Sequence, residues 1–382
     1  MMNPKMPMDL AEYIPPVAMP SERSGLRFEV LGEGHSDGAN QLFNQVFGQS
    51  RPLSHYAWKF WKNPAGPPVG MVAIEEATDR VVACNSGIVR RFQVNGREVR
   101  TMFACESAVD PSFRGGGFLF RAVTGGMVNL AHKHGVCFAY GGQSTDEAIR
   151  IGRRLFRYQD LFELRAYDRI LSSRPALQGR LGKTGDSISD LLPRARLKAS
   201  EVEEGWDFET HSEFNSEFDN LWVRLQSQFE VCAIRDSRHL NWRWRDCPIG
   251  SHFIVSAHRN GAMMGYLVFR IFEKDRTRIA LVLDLFVDQD STAAAALLSH
   301  ATSIANQNRA DVFRIAICDE GCLSKALNSL SSFKLSKREV ADRVIGTAMW
   351  FPDGSLEDYE SQRQLLKGES WYYTQGDADF LD

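Results

Sequence analysis

The stretch Val109-Asp-Pro-Ser-Phe-Arg-Gly-Gly-Gly-Phe-Leu-Phe-Arg-Ala-Val123 sets an arginine and three consecutive glycines between an apolar strand and a helical pattern. Apolar residues at Leu119, Val123, Met127 and Leu130 predict a helix over Phe118–His134. Gly135 fits its C-cap, and His132, Lys133 and His134 suit the negative end of its dipole. A backbone this bare at a helix N-terminus suits an anion. The first amides have no partner within the helix, glycines permit close approach, and Arg114 adds a charge-assisted donor. No Lys-Ser/Thr pair follows the glycines, so the loop is not that of a nucleoside-triphosphate site. A second glycine-rich stretch, GEGHSDG at Gly32–Gly38, has its third glycine one residue late for a dinucleotide turn and reads as an ordinary loop.

The elements on either side are mixed α/β. Upstream lie a short strand (LRFEVL), a helix ending at Gly48 and a second helix, HYAWKFWKNP, expected to stop near Pro64. Two strand runs follow, GMVAIE and VVACNSGIVRRF, and an Asn95-Gly96 turn leads into REVRTMFACESAV. Downstream come a buried-type strand, VCFAY, and a helix, STDEAIRIGRRLF, with a capping residue at Ser144 or Thr145.

One segment of this run returns later without a gap. His55-Tyr-Ala-Trp58-Lys-Phe-Trp-Lys-Asn-Pro64-Ala-Gly66 matches His239-Leu-Asn-Trp242-Arg-Trp-Arg-Asp-Cys-Pro248-Ile-Gly250. Both copies precede the same order of strands and helices, which predicts a duplicated domain. The divisions expected are a mobile arm at 1–24, a first domain at 25–171, a linker at 172–205, a second domain at 206–352 and a tail at 353–382. Asp377, Asp379 and Asp382 of the tail lie outside any EF-hand spacing, while Trp371, Tyr372 and Tyr373 predict that it docks.

The whole chain of 382 residues is 43% apolar and 24% charged, enough to bury two cores. Its 45 Lys and Arg nearly cancel 48 Asp and Glu, which argues against a nucleic-acid partner. No apolar run reaches the length of a membrane span and the N-terminus lacks a signal-peptide pattern, so a cytoplasmic protein without a membrane partner is expected. The seven cysteines are scattered, and Cys318 and Cys322 lack partners at zinc-ligand spacing. Reduced thiols and no metal are expected.

Strand, two helices, three strands, glycine loop and helix, strand, helix, strand: this order resembles the GNAT superfamily of acyl-CoA-dependent N-acyltransferases. The motif of that family is Arg or Gln, two residues, Gly, one residue, then Gly or Ala, after a Val-x-Pro strand end. Val109, Pro111, Arg114 and Gly117 match it, whereas Leu119 stands at the last position. The resemblance covers residues 26–170 and 206–352 and implies two GNAT folds in tandem, each a mostly antiparallel mixed sheet flanked by helices. In the second, VDQDSTAAAALL replaces the glycine loop, so coenzyme binding is expected in the first domain alone.

The resemblance further implies acetyl-CoA or another acyl-CoA as co-substrate, a small-molecule amine such as an amino sugar or amino-acid-derived metabolite as acceptor, and direct attack of the amine on the thioester. Ala108 and Val109 would hold the pantetheine where SAVDP and VCFAY splay apart, and Arg114, Gly115, Gly116, Gly117, Phe118 and Leu119 would hold the pyrophosphate. A primary amine with a pKa near ~10 needs a base, and Glu106, three residues before Val109, is the candidate. Asp284 stands at the same place before Val287, which sets a structural role beside the catalytic one. Tyr158 and Tyr140 are candidate acids for the leaving thiolate, because AIRIGRRLF holds no tyrosine. The arginines at 150, 153, 154 and 157 form a stripe that is either a solvated face or a phosphate contact. Two other functions fit the same residues: a non-catalytic acyl-CoA-binding regulator, and a Fem-like aminoacyl transferase. The oligomeric state is not legible.

Overall fold

The computed structural model describes residues 25–142, 146–181, 204–288, 291–318, 333–348 and 363–379, together with positions 184, 194, 323, 327, 330 and 361. The chain divides into two compact units. The first comprises the described residues up to Leu161 and those within Val344–Ser370, and the second those within Phe162–Arg343 and from Trp371 onward.

In the first unit the strands are β1 (Leu26–Val30), β2 (Val69–Glu75), β3 (Arg80–Val94), β4 (Arg97–Val109) and β5 (Phe138–Gly141). Their neighbours run β1-β2-β3-β4-β5, antiparallel except for a short parallel match between β4 and β5 at Thr101–Phe103 and Phe138–Tyr140. Asn95 (φ 49°) and Gly96 (φ 81°) close the β3–β4 hairpin, the left-handed pair that a two-residue turn requires. The helices are α1 (Ser36–Phe47), α2 (Leu53–Phe60), α3 (Phe118–Lys133) and α4 (Asp146–Phe156). The cap expected for α4 at Ser144 or Thr145 lies outside the described residues. Residue α2 stops at Phe60, earlier than Pro64 demands. Asn63 ends it, because its amide donates to Val89 O at 2.8 Å while its Oδ1 accepts from Ala65 N at 3.0 Å, a turn that competes with helical bonding.

The second unit holds β7 (Asp207–His211), β8 (Val231–Ala233), β9 (His252–Arg259), β10 (Ala262–Lys274), β11 (Thr277–Val287) and β12 (Val312–Cys318). Their sheet runs β7-β9-β10-β11-β12, again antiparallel except for the parallel β11–β12 step. Its helices are α5 (Arg174–Leu181), inside the expected linker, α6 (Ser216–Leu225), α7 (Ser237–Leu240) and α8 (Ser291–Gln307).

The sixth strand of each unit comes from the opposite half of the chain. β6 (Gln159–Ile170) pairs antiparallel with β12 through Leu164–Ile170, while β13 (Lys334–Ala348) pairs antiparallel with β5 through Ile345–Ala348. This exchange is where the units differ from contiguous halves at 25–171 and 206–352. It also covers two sheet edges that would otherwise present unpaired backbone. No helix among the described residues is long and apolar enough to cross a membrane.

The core of the first unit gathers Met71, Val82, Met102, Leu119, Val123, Met127 and Phe156 between α3 and the sheet. Each large side chain buried here contributes roughly 1.5–3 kcal/mol. Trp58 and Trp242, the landmarks of the repeat, are both buried, each with its histidine ring 5.2 Å (His55) or 5.4 Å (His239) away.

From Trp371 onward the C-terminal tail belongs to the second unit. Trp371–Tyr372 form β14, parallel to β8, and Tyr372 donates its hydroxyl to Leu285 O. Arg243 Nε and Nη2 donate to Gly376 O (3.1 Å) and Ala378 O (2.6 Å). Arg235 donates to Asp377 Oδ2 at 2.7 Å and to Asp284 Oδ1 at 3.3 Å, so one guanidinium serves two buried carboxylates.

Burial holds the pKa of Asp284 above the ordinary carboxylate value, with Arg235 acting the other way and Asp377 adding to the rise. The folded chain therefore binds more protons here than the unfolded chain, and the contribution of this group to stability falls as pH rises through the elevated pKa. Asp284→Asn mimics the protonated form. It leaves Arg235 paired with Asp377 and is expected to melt close to the parent at pH 3.5 and to gain on it as pH rises through the elevated pKa; a melting-temperature difference that is flat with pH would contradict this.

Candidate active site

Strand β4 parts from β5 after Phe103, and Ala104–Val109 continue beside β3 alone. Gly141 marks the last close approach, since a Cβ there would lie 3.0 Å from Ala104 O. Beyond it, the edge of β4 facing away from β3 is left with backbone groups that β5 does not pair. Ala108 is buried and Val109 half-buried on this segment.

A bulge follows soon after the strands part. Cys84 faces Ala108 and Ser86 faces Cys105, so Glu106 and Ser107 oppose the single residue Asn85. Glu106 adopts φ 53°, a left-handed conformation that costs a side-chain-bearing residue about 1–2 kcal/mol. Its side chain supplies the compensation. The carboxylate is buried and accepts from Arg51 Nη1, from Arg51 Nη2 at 3.1 Å and from Lys59 Nζ at 2.7 Å. Arg51 is itself oriented by Asn40 Oδ1 (2.8 Å) and by the Phe43 ring, whose centroid lies 4.1 Å from the guanidinium carbon. Both oxygens of the candidate base are thus taken up by cations.

The second unit repeats the arrangement with other partners. The β10–β11 register shifts between Val268 and Phe269, beside Asp284, and Asp284 meets Arg235. Arg51 and Arg235 each precede the histidine of the repeat by four residues. The sequence match therefore extends upstream to an arginine that neutralises the β4 or β11 carboxylate. An arginine four residues before both His55 and His239 is the sequence signal for this pairing, and it lies just upstream of the matched segment. Tyr266, which donates to Asp284 Oδ2 at 2.8 Å, and Thr374 at 3.0 Å complete the second cluster.

From Val109 the chain turns through Pro111–Phe113. Asp110, almost fully buried, caps this turn by accepting from Ser112 N (2.9 Å) and Ser112 Oγ (2.6 Å), and it meets Arg80 at 3.1 Å. Arg114 then folds back, its Nε donating to Val109 O at 3.1 Å. Gly115, Gly116 and Gly117 follow at φ 144°, 59° and 67°, all conformations that favour glycine, and a Cβ at any of them would meet open space. Backbone conformation, not packing, therefore requires the three glycines. Gly117 is the N-cap of α3 and has no side chain with which to cap it. Arg121, exposed on the first turn, reaches Gly116 O at 3.5 Å and adds a second cation beside Arg114. Phe118 is half-buried against Phe28, and Leu119 is buried in the core. The residue that departs from the motif thus points its side chain inward, away from the exposed loop.

Between β4, β5, α3 and α4 lies an open apolar pocket of about 430 Å³. Met102, Met127, Val128 and Phe156 line it, together with both candidate acids, Tyr140 and Tyr158. Tyr140 is held edge-on by Phe92 and Phe103. Tyr158 packs its ring on Gly152, where a Cβ would come within 2.1 Å of it, and burial raises its pKa to about 12. Its phenol is therefore neutral, carrying the proton a general acid needs. Of the arginine stripe, Arg150, Arg153, Arg154 and Arg157 are exposed, with Arg153 paired to Asp160 at 2.6 Å. The glycine loop and Tyr158 thus stand on the α3 side of the first sheet, near the part of β4 that β5 leaves, whereas Tyr140 turns its ring to Phe92 and Phe103 and the Glu106 carboxylate is turned into its ion pairs.

No family model and no curated protein matches the chain. Solved structures do. A probable N-acyltransferase from Enterococcus faecalis V583 aligns with TM-score 0.58 and 12% identity over 84% of this chain and 71% of its own. A GCN5-related N-acetyltransferase from Anabaena variabilis ATCC 29413 aligns with TM-score 0.58 and 12% identity over 84% and 72%. The N-myristoyltransferase of Saccharomyces cerevisiae, solved with bound myristoyl-CoA, aligns with TM-score 0.55 and 14% identity over 86% and 83%. At these identities the likeness is one of architecture: a mixed α/β chain with the fold of the GCN5-related N-acyltransferases.

Proposed function

We propose that the chain is an acyl-CoA-dependent N-acyltransferase built from two GNAT-like halves, with the first unit carrying the coenzyme and a small amine as acceptor. The observation that carries this reading is the Arg114–Gly117 loop at the N-terminus of α3, continuous with the part of β4 that β5 leaves after Phe103 and with the apolar pocket beside it. Pyrophosphate on the loop would meet first-turn amides, the positive end of the helix dipole and the cations of Arg114 and Arg121. The pantetheine amides would find hydrogen-bond partners on Ala104–Val109, as β5 does earlier on the strand, and the acyl group would face apolar side chains. The fold neighbours, an N-myristoyltransferase with its acyl-CoA among them, support this class of co-substrate.

In this reading Tyr158 protonates the leaving thiolate, since it lines the pocket as a neutral phenol. Glu106 is a positioning residue: its ion pairs hold the bulge just beyond the point where β4 leaves β5. In the second unit, β11 carries Asp284 and the tail beside it, and α8 begins Ser-Thr-Ala-Ala-Ala in place of glycines. That unit would buttress or shape the acceptor side without holding coenzyme.

Acetyl-CoA is expected to raise the melting temperature of the parent chain. Arg114→Glu should weaken its binding tenfold or more with little loss of stability, and Gly116→Val should do so at a cost of about 1–2 kcal/mol. An unchanged melting temperature across acetyl- to myristoyl-CoA would overturn the reading.

With an acceptor identified by thiol release, Tyr158→Phe should lower kcat by ~10²-fold with KM for the coenzyme unchanged. Equal turnover in Tyr158→Phe would remove the tyrosine from the chemistry.

Glu106→Gln strands two buried cations and is expected to cost about 3–5 kcal/mol of stability. The pH–rate profile of whatever folded fraction remains should keep the shape of the parent's. A variant that melts like the parent but loses the alkaline-rising limb would restore Glu106 as the base.

A further inference from the structure

Strand β7 is the outer strand of the second unit's sheet and pairs antiparallel with β9, setting Glu209 opposite Ser256, Asp207 opposite His258 and His211 opposite Ile254. Side chains two apart on a strand share a face. Glu209, His211, Ser256 and His258 therefore stand together on one face of this pair. Helix α6 covers that face: the Phe218 ring meets the His211 imidazole edge-on at 5.1 Å, and Glu217 Oε1 lies 3.5 Å from His258 Nδ1.

The two imidazoles converge. His211 Nε2 is 2.6 Å and His258 Nε2 is 2.8 Å from the same atom, Ser256 Oγ. One hydroxyl hydrogen cannot serve two ring nitrogens, so the rings compete for it unless one is itself protonated at Nε2. Donor atoms of Glu209, His211 and His258 all lie within 4.8 Å of one another. From this geometry we infer that Glu209, His211 and His258 form a binding site for one divalent transition-metal cation of the zinc class.

Several features fit such an ion. Two imidazoles and a carboxylate make a borderline donor set, suited to zinc, cobalt, nickel or copper and unsuited to the all-oxygen preference of calcium and magnesium. A tetrahedral ion with bonds of about 2.0–2.1 Å needs its donors about 3.3 Å apart, within a modest side-chain adjustment of the present spread. Glu217, whose backbone N–H is held by the Asn215 cap of α6 at 2.9 Å, sets its carboxylate 3.5 Å from His258 Nδ1, leaving Nε2 as the atom of that ring that would meet the ion. Glu209 is exposed and His258 is buried, which leaves an entry from solvent and one coordination position for water. Bound there, the ion would tie the outermost strand of the second unit to its neighbour.

The test is a titration of the chelator-treated chain with cobalt(II) and zinc(II). Cobalt should bind once per chain and develop the visible d–d bands of a four-coordinate N,O site, zinc should displace it, and zinc should raise the melting temperature. His211→Asn and Glu209→Gln, both on the accessible side, should each weaken cobalt binding at least tenfold without changing the metal-free melting temperature by more than about 2 °C. Ser256→Ala removes the hydroxyl between the rings without removing a ligand, and should bind cobalt at least as tightly as the parent. No binding below 100 μM of either ion would overturn the inference, as would a cobalt spectrum and affinity that survive His211→Asn, or loss of binding in a folded Ser256→Ala chain.

Discussion

A buried arginine facing a buried carboxylate at a strand bulge is the constraint on which each half of this chain depends. In the first unit it is Arg51 and Glu106, in the second Arg235 and Asp284. Neither charge tolerates solitude, since an unpaired ion in the interior costs several kcal/mol. The segment leading into α2 or α7 must therefore lie against the strand that carries the carboxylate. In the first unit this tether holds Glu106 in its left-handed conformation. That conformation belongs to the bulge, which lies just beyond the point where β4 leaves β5.

Much of this order was legible in the sequence. The glycine loop, the Asn95-Gly96 hairpin, α3 with its end near Gly135 and the tryptophan anchors rest on local chemistry: left-handed turns, capping and the period of apolar residues. Other features were not, for reasons of range. Arg51 pairs with a residue 55 positions away, and nothing near it signals a partner. Lys59 is buried on that same carboxylate, although a lysine on a helix ordinarily reads as solvent-facing. The end of α2 at Phe60 depends on a carbonyl of β3 that Asn63 finds only in the folded chain. Residues 209, 211 and 258 come together across a strand pair and match no spacing rule. Leu119 is the instructive case. It reads as a defect of the motif along the sequence, yet in three dimensions its side chain belongs to the core beneath α3.

The two units have kept a scaffold and diverged in what they set beside it. In one, the sheet face near the strand divergence meets an exposed loop of glycines and an apolar pocket. In the other, the tail takes up the polar groups around Asp284, with Asp377, Thr374 and the Arg243-bonded carbonyls of Gly376 and Ala378 completing a closed network. Gly376 permits this closeness, because a Cβ there would lie 2.6 Å from the Trp244 ring and 2.9 Å from Leu283 O. Similar strand orders in the two units thus carry different surroundings, glycines and a pocket beside β4 and the tail beside β11.

The reciprocal sixth strands govern the order in which the molecule comes into being. A ribosome delivers β1 to β5 early, but the strand that closes the edge of β5 is made only when Ile345–Ala348 emerge. Through the synthesis of some two hundred intervening residues, the first sheet presents an incomplete edge. The second sheet has the opposite history, since β6 is waiting in the nascent chain before β12 exists. The first sheet to be started is therefore finished after β7 to β12 of the second unit have been made, once Ile345–Ala348 have been translated.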